Sequence, residues 1–336
     1  MTKKATINDV AKKAGVGKAT VSRVLNTPHL VGKETLVKVM EAAKELGYKP
    51  NPIARALNNT RTRTVSLVVP NVESSTMAEI IRGAMQYLTE REYSLLVLDS
   101  SENYATERDY FHLLQERMTD GVIFCHGSAK ERMEALVTIM PVVFVESMPK
   151  NSAIDRVLVD GAEAFRKMFR YLLACGFKED IAIVYGKEDS FSNLRREQCE
   201  LVLAEFKLNI TPNNLHYGNW RPEDGYQSMI DLLAQKNRPK AVIYLSDVMA
   251  LAGMRAAVDL GLYLPEDLSI VGFNDARFSA YYQPALTTLD YQPYKLGVEA
   301  ARQILNRLEQ PNLATQICLL DAALHIRESV RTKKNN

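Results

Sequence analysis

The spacing of apolar residues changes once along the chain, near residue 63, and this change divides the sequence into two parts. Before it, apolar positions recur every three to four residues, a pattern that predicts amphipathic helices. We predict three of them, over Ile7–Ala14, roughly Lys18–Leu25 and Lys33–Leu46. Thr6 is placed to cap the first helix, and Gly47 is placed to end the third. The first part of the chain is therefore predicted to be a small all-helical unit.

From Thr64 onward, short and continuous apolar runs alternate with longer helical patterns. The runs are TVSLVVP, YSLLVLDS, DGVIFCHG, PVVFVES, RVLVD, DIAIVYG, NNLHYG, KAVIYLS and LSIVGFND. The helical patterns between them cover Ala78–Glu90, Glu107–Met118, Ala162–Cys175, Leu194–Phe206, Pro222–Gln235 and Val248–Leu260. Strands that are apolar throughout and separated by helices indicate an α/β fold with parallel sheets covered on both faces. The strands are too many for one compact sheet, so we predict two doubly wound subdomains with a ligand cleft at their strand ends.

Charge follows the same division of the chain. The net charge is +2, but residues 1–63 carry 13 Lys and Arg against 4 Asp and Glu, whereas the remainder carries 29 against 36. A basic block on an acidic body favours a polyanion as the partner of the block, although charge alone also allows a solvated basic tail. Between the two parts, Pro50 and Pro52 interrupt regular structure and a polar stretch follows. We place the domain boundary there, near residues 60–64.

Other features narrow the class of protein. The four cysteines lack C-x-x-C spacing, so we expect reduced structural thiols, no metal site and a cytoplasmic protein. The N-terminus lacks the apolar core of a secretion signal, and no apolar run approaches the length of a membrane span. An enzyme on an α/β fold is disfavoured, because G-x-G-x-x-G, G-x-x-x-x-G-K-[ST], G-x-S-x-G and H-E-x-x-H do not occur. A periplasmic sugar-binding protein would need a signal peptide and would not carry the basic block.

A helix, a tight glycine turn and a second helix packed by a third form the helix-turn-helix arrangement, whose second helix enters the major groove of DNA. The segments TINDVAKKAGVGKATVSRVLN and VGKETLVKVMEAAKELGYKPNPIARAL resemble the DNA-binding headpiece of the lactose-repressor/galactose-repressor (LacI/GalR) family of bacterial transcription regulators. SDVMALAGMRAAVDLGLYLPEDLSIVGFND, PALTTLDYQP and LHIRES resemble the effector-binding domain of the same family. The resemblance spans nearly the whole chain, in family order.

The resemblance implies a headpiece over residues 1–60, with a hinge helix at about 51–58, and a body over residues 61–336 of the periplasmic-binding-protein type. The body would contain an N-subdomain at about 64–161 and 292–320 and a C-subdomain at about 162–291 and 321–331. The implied partners are double-stranded operator DNA, read as a pseudo-palindrome by a homodimer, and a small-molecule effector that changes DNA affinity. Neither a cofactor nor a membrane is expected.

The resemblance assigns DNA contacts to the turn, the recognition helix, the third helix and the hinge. They are Thr6, Gly17, Lys18, Ala19, Thr20, Ser22, Arg23, Asn26, Lys33, Asn51, Ala54, Arg55 and Leu57. Lys18 is long enough to reach a guanine edge, whereas Ala19 can touch only a methyl group. The family role at Leu57 is an apolar wedge in the minor groove. Because Gly17-Lys18 and Gly32-Lys33 both open a helix, we interpret them as phosphate anchors, and whether Lys18 reads a base or holds a phosphate stays open.

Effector contacts are expected from polar residues at strand ends and from positions that match the family. They are Ser74, Thr76, Met77, Cys125, His126, Glu146, Asp160, Arg196, Trp220, Ser246, Asp247 and Asn274. An arginine at position 196 could fork two bonds to vicinal hydroxyls or a carboxylate, and Trp220 could stack on a ring. The resemblance implies a carbohydrate or sugar phosphate as effector. A nucleoside or another metabolite is the alternative, and the sign of regulation stays open.

Overall fold

The computed structural model describes residues 5–26, 30–48, 61–101, 103–116, 118–125, 130–148, 153–187 and 190–332. The chain divides into two compact units, Met1–Thr62 and Arg63–Asn336. We call the first unit the headpiece and the second the body. Among the described residues, no helix is both long enough and apolar enough to cross a membrane.

The described part of the headpiece contains the helices α1 (Ile7–Ala14), α2 (Lys18–Asn26) and α3 (Lys33–Glu45). All three predicted helices are thus confirmed. Their packing follows from the apolar stripes, because Val10, Val21, Val24 and Val39 are almost fully buried against one another. A short core of this kind fixes which faces of α2 remain exposed.

The ends of these helices follow the predicted capping signals. The hydroxyl of Thr6 accepts a hydrogen bond from the backbone N–H of Asp9 at 3.4 Å, and the Asp9 carboxylate accepts one from the backbone of Thr6 at 2.8 Å. This reciprocal capping box satisfies donors that a helix start leaves open. Gly47, with φ of 59°, follows α3, and the N–H of Tyr48 bonds the carbonyl of Ala43 at 2.9 Å. That pattern is a Schellman ending, which needs a residue that tolerates positive φ.

All nine predicted strands are present in the body, and its described residues form three more. The predicted ones are β1 (Thr64–Val69), β2 (Ser94–Asp99), β3 (Gly121–Cys125), β4 (Val142–Val145), β5 (Asp155–Val159), β6 (Ile181–Tyr185), β7 (Leu215–Tyr217), β8 (Ala241–Tyr244) and β9 (Ser269–Phe273). The pattern missed β10 (Thr287–Asp290), β11 (Ile317–Leu320) and β12 (Ala323–His325).

In the described residues of the body, eight α-helices and two short 3₁₀ turns connect these strands. Six helices confirm predictions, with ends that differ by a few residues: α4 (Ser75–Thr89), α5 (Tyr104–Gln115), α7 (Gly161–Ala174), α8 (Ser190–Glu205), α9 (Pro222–Leu233) and α10 (Asp247–Asp259). Two were not predicted: α6 (Lys130–Ala135) and α11 (Pro293–Glu309). The 3₁₀ turns are Leu136–Thr138 and Pro212–Asn214.

The strands form two six-stranded sheets, each the centre of one lobe. The first sheet has the order β11-β5-β4-β3-β1-β2 and all its pairs are parallel. The second has the order β12-β10-β9-β8-β6-β7, with β12 antiparallel at its edge. Helix α11 packs on α4 beneath the first sheet at glycine contacts, because a Cβ at Gly83 would lie 2.0 Å from the carbonyl oxygen of Tyr294.

The chain passes between the two sheets three times: after β5, after β10 and after β11. These crossover segments are bonded to one another. The side chain of Gln292 in the second crossover donates to the carbonyl of Asp321 in the third. Lys167 of α7 donates to the Asp321 carboxylate at 2.5 Å and to the carbonyl of Ala322 at 2.8 Å. The hinge between the lobes is therefore a connected set of segments.

Candidate functional site

The start of α2 presents the headpiece residues that were predicted to meet DNA. Lys18, Ala19 and Arg23 are exposed, while Val21 and Val24 are buried in the headpiece core. A helix that docks in the major groove of DNA needs this alternation, because the buried valines anchor it to the headpiece core and leave the opposite face exposed. Thr6 is also exposed, and Thr20 and Ser22 are half-buried beside these positions.

The two Gly-Lys pairs share a local geometry that does not need glycine. Gly32 has φ of −61°, a value open to any residue, and a Cβ at this position would meet nothing within 4 Å. A Cβ at Gly17 would come no closer than 4.0 Å to the hydroxyl of Thr20. Serine would therefore fit at both positions, and glycine leaves the backbone N–H groups of each first turn uncovered.

Several predicted DNA contacts cannot be placed in this way. Asn51, Ala54, Arg55 and Leu57, and with them the hinge helix, lie outside the described residues. Asn26 ends α2, but its side chain is not among the described ones.

In the first lobe of the body, two of the predicted effector residues belong to the core. Met77 and Cys125 are 4% and 0% exposed and pack in the main apolar cluster. Burial also raises the pKa of the Cys125 thiol, so this group stays protonated. The geometry favours packing roles for both side chains. Ser74 precedes α4 at the N-cap position without a side-chain capping bond, and both it and Thr76 are half-buried. His126 lies outside the described residues.

Glu146 follows β4 and is a titratable group of the first lobe close to Arg195 of the second. Its carboxylate is 4% exposed and accepts a hydrogen bond of 2.6 Å from the backbone N–H of Val159. Burial raises its pKa to about 7, while the charge of Arg195 and the Val159 bond lower it. Glu146 is therefore poised between its charged and neutral forms near neutral pH.

Arg195, on α8 of the second lobe, is the arginine that the structure places between the lobes. It is 2% exposed, and its guanidinium carbon lies 4.6 Å from the ring centroid of Phe273 and 4.8 Å from that of Tyr291. It also donates to the side-chain oxygen of Asn274 at 3.4 Å. Rings and a carboxyl on several sides compensate for the loss of water around this cation.

The arginine predicted from the sequence is the neighbouring Arg196. Arg196 points along its own helix, where its Nε lies 3.7 Å from a carboxylate oxygen of Glu200. Successive helical residues differ in direction by about 100°, so the two adjacent arginines leave α8 in different directions. Cys199 and Val202, four and seven residues after Arg195, are both fully buried and set this phase.

Trp220 lies close to Arg195, as a residue at the edge of the cleft. Its backbone has φ of 64°, and its indole covers Gly186, where a Cβ would lie only 1.9 Å from the ring. The guanidinium carbon of Arg195 is 6.0 Å from the indole centroid. The indole is half-buried, so part of the ring remains available to a ligand.

Asp247 was predicted to bind the effector, but its contacts indicate a supporting role. Its carboxylate accepts hydrogen bonds from the backbone of Ala276 at 2.6 Å, the hydroxyl of Ser279 at 2.7 Å and the hydroxyl of Thr288 at 2.6 Å. Burial raises the pKa of Asp247, and the three donors lower it. Both oxygens thus tie the loop after β9 to β10, and the preceding Ser246 is likewise buried.

Two polar groups that sequence analysis missed complete the interlobe site. The hydroxyl of Tyr291 and the side-chain oxygen of Gln198 are buried and have no hydrogen-bond partner within the described chain. Both crowd Gly161, where a Cβ would lie 2.4 Å and 2.0 Å from them. Beside them Asp160 caps α7 by accepting from the backbone of Glu163 at 3.0 Å. Gln198 and Arg195 are three residues apart and therefore lie on one face of α8. This spacing is the sequence signal that could have identified Gln198.

This set of groups offers donors, an acceptor, a titratable carboxyl and aromatic faces. Among the described residues, no cluster of three or more His, Cys, Asp or Glu side chains could hold a metal ion. The arrangement suits reversible binding of a small polar molecule between two lobes.

Known families match the two units separately. Residues 6–51 match the family described as bacterial regulatory proteins, lacI family. Residues 169–330 match the periplasmic binding protein-like domain. The HTH-type transcriptional regulator RegA of Clostridium saccharobutylicum is 32% identical over 328 residues, which cover 96% of this chain and 98% of the relative. The HTH-type transcriptional repressor PurR of Histophilus somni (strain 129Pt) is 32% identical over 332 residues, covering 98% and 99%.

Solved structures show the same likeness in three dimensions. The lac repressor dimer bound to operator and the anti-inducer ONPF matches with a TM-score of 0.88 and 26% identity, covering 97% of this chain and 99% of that one. A complex of the transcriptional regulator CelR with cellobiose matches with a TM-score of 0.73 and 27% identity, with the same coverage. The likeness therefore includes both units and not the body alone.

Proposed function

Because the chain belongs to the LacI family of bacterial transcription regulators, we propose that it represses genes by binding a pseudo-palindromic operator as a homodimer, under the control of a small-molecule effector. Its relatives are regulators and not enzymes, and the same holds for this chain. Operator DNA as the partner implies that it works in the cytoplasm.

The observation that supports DNA reading is the exposed start of α2. Lys18 and Ala19 stand free of the headpiece core, where they can meet base edges. Arg23, Thr20 and Ser22 suit contacts to the backbone of the same half-site, and Lys33 at the start of α3 suits a phosphate. Leu57 completes the proposal as a minor-groove wedge that bends the operator between half-sites.

Exposed apolar side chains support the dimer. On the second lobe, Val258, Leu260, Tyr263, Phe278 and Tyr281 are between 51% and 86% exposed and lie on neighbouring segments at the end of α10 and after β9. Large apolar patches of this kind mark association surfaces on soluble proteins. Two headpieces held by such an interface would read the two halves of a pseudo-palindrome.

Removing the headpiece tests the DNA assignment. A chain that begins at Arg63 should lose specific binding to genomic fragments that the full chain enriches, by at least about 10³-fold. Its melting temperature should stay close to that of the body in the full chain, because the two units are separately compact. Retention of the same fragments by the shortened chain would contradict the headpiece assignment.

The interlobe groups support an effector site. Arg195 and Glu146 come from different lobes, and the buried oxygens of Tyr291 and Gln198 lack partners within the described chain. Burying unsatisfied polar atoms is costly, so a ligand that bonds them would bind and also favour the closed arrangement of the lobes. A carbohydrate or sugar phosphate suits this set, since its hydroxyls both donate and accept. A nucleoside is the second candidate, because its planar base could stack on the half-buried Trp220.

A melting-temperature screen of sugars, sugar phosphates and nucleosides tests the effector site. A true ligand at about 100 times its Kd should stabilise the protein by about 2.7 kcal/mol. Arg195→Met should abolish that stabilisation, whereas Arg196→Met, the matched control one residue away, should preserve it. Equal effects of the two substitutions would exclude the interlobe site.

A further inference from the structure

An exposed ion pair also joins the two lobes, away from the buried groups. Nε of Arg277, in the loop after β9 of the second lobe, lies 3.3 Å from Oε1 of Glu79 on α4 of the first lobe. The side chain of Arg277 is 74% exposed and that of Glu79 is 24% exposed. Glu79 follows the predicted effector residues Ser74–Met77 on the same helix, and Arg277 follows Asn274 by three residues. The pair therefore links helix α4 of the first lobe to the loop after β9 of the second.

The loop that carries Arg277 is held firmly in place. The Asp247 carboxylate binds the backbone of Ala276 and the hydroxyl of Ser279, on either side of Arg277. Upstream, the backbone N–H of Asn274 donates to the carbonyl of Leu289 at 2.7 Å. An exposed arginine usually loses much side-chain entropy when it forms an ion pair. Because the backbone of this loop is already fixed, no further backbone entropy has to be lost. Asp247 thus fixes the loop backbone on both sides of Arg277.

The carboxylate on the other lobe is also positioned before the two lobes meet. Oε2 of Glu79 accepts from Nε of Arg82 at 3.0 Å, and the Arg82 guanidinium lies 4.3 Å from the ring centroid of Tyr294 on α11. Arg82 therefore uses one carboxylate oxygen of Glu79 and leaves Oε1 for Arg277. When the lobes separate, Glu79 keeps its partner on α4 but loses the one from the second lobe.

We propose that the Glu79–Arg277 pair is an electrostatic latch that stabilises the closed arrangement of the lobes in the absence of effector. The chain connects the two sheets through three crossover segments, and the Glu79–Arg277 pair adds a direct contact between side chains of the two lobes. Opening would break this pair while leaving the Arg82 contact and the Asp247 network intact. The latch goes beyond the proposed function, since it concerns the ligand-free body alone and needs neither operator nor effector.

The strength of the latch follows from its exposure. An exposed ion pair contributes little free energy to the arrangement that it stabilises. The loss of this pair should therefore change the ratio of closed to open lobes by about two- to fivefold. Salt should weaken it, because the Debye length shortens from about 30 Å at 0.01 M to about 3 Å at 1 M. Because the latch is weak, a ligand with a small difference in affinity for the two arrangements can still shift the equilibrium between closed and open lobes.

Interlobe distance distributions in the full, effector-free chain test the latch. Spin labels are attached through non-natural amino acids at the exposed positions Glu90 of the first lobe and Lys236 of the second, so the native cysteines stay unmodified. Labelled chains are diluted with unlabelled ones, so that each assembly reports on one chain. For the wild type, the ratio of the closed to the open population should decrease about two- to fivefold from low to high salt.

Substitutions at Arg277 separate the latch from a passive contact. Arg277→Gln should shift the low-salt distribution toward the open form and abolish its salt dependence, and Arg277→Lys should largely preserve both. Glu79→Gln should reproduce the Arg277→Gln result from the other lobe. Arg255→Gln is the matched control, because Arg255 is similarly exposed but pairs with Asp259 on its own helix. A wild-type distribution in Arg277→Gln and Glu79→Gln, with unchanged salt dependence, would overturn the proposal.

Discussion

The headpiece and the body use charged residues in opposite ways. In the headpiece, Lys18, Arg23 and Lys33 are exposed on the surface of short helices. In the body, the central charged groups are Arg195 and Asp247, both at most 2% exposed and each surrounded by protein partners. The same residue types thus serve a solvated surface in one unit and a dry interior in the other.

This difference determines which solution variable each unit responds to. Exposed charges act over distance and are screened by salt, so binding by the headpiece should follow ionic strength. Buried charges are screened little but are sensitive to protonation and to the loss of a partner. Substitutions of matched residues can therefore break or sharpen the comparison between the two units.

The largest effect is expected for Asp247. Asp247→Ala leaves the backbone N–H of Ala276 and the hydroxyls of Ser279 and Thr288 without their acceptor, which should lower the free energy of unfolding by about 3–4 kcal/mol. Asp259→Ala is the control, since this residue ends the same helix and pairs on the surface with Arg255. Its cost should stay below about 1 kcal/mol. Denaturant unfolding of the two variants measures both, and similar costs would contradict the distinction between buried and exposed carboxylates.

Glu146 should make the stability of the body depend on pH. Its pKa rises from an ordinary 4.5 to about 7 in the folded protein, so between these values the folded state holds a proton that the unfolded chain has released. The free energy of unfolding must then decrease as the pH rises from about 4.5 to about 7, by at most about 3 kcal/mol.

Glu146→Gln keeps the side-chain shape but cannot ionise, so this part of the pH dependence should disappear. Unfolding curves at a series of pH values measure the difference between wild type and variant. Glu92→Gln is the control, because Glu92 is 82% exposed on the same unit, and its profile should parallel that of the wild type. A wild-type slope in Glu146→Gln would show that another group carries the dependence.

How far the sequence predicts each unit depends on the range of the contacts involved. Headpiece helices are specified locally, by Thr6 at one end and Gly47 at another, and the structure confirms all three. Most of the body's strands were equally clear, because parallel strands buried on both faces are apolar throughout. Strands β11 and β12 lie at sheet edges and are half-exposed, so they lack that signature. Helix α11 did carry a start signal, Pro293 at its first turn, that went unused.

The interlobe site was predicted in outline but not in its main residues. The rule that ligands bind at strand ends singled out Glu146, because that rule depends only on topology. Choosing Arg195 over Arg196 required the phase of α8, which the buried Cys199 and Val202 establish. Tyr291 and Gln198 come from segments far apart in the chain, and no local pattern brings a crossover residue beside a residue of α8.

The smallest effect, and the sharpest test of the headpiece, concerns Lys33. Gly32 adds no side chain at the start of α3, and its φ shows that glycine is not required there, so the first-turn N–H groups and the ammonium of Lys33 form an open anion site. A phosphate anchor carries no sequence information. Lys33→Ala should therefore weaken binding about equally across DNA sequences and lower the salt slope by roughly one unit.

Lys44→Ala supplies the control for that experiment. Lys44 is exposed on the same helix, but it lies about 16 Å further along the axis, at the negative end of the helix dipole. Its removal changes the net charge of the headpiece by the same amount, so a general electrostatic effect would lower the salt slope in both variants. The affinity of both variants for a panel of operators, measured over a range of salt concentrations, distinguishes a local phosphate contact from a general effect of net charge. A loss in Lys33→Ala that depends on the DNA sequence would mean that this lysine reads bases, and the view of the α3 start as a phosphate anchor would have to be abandoned.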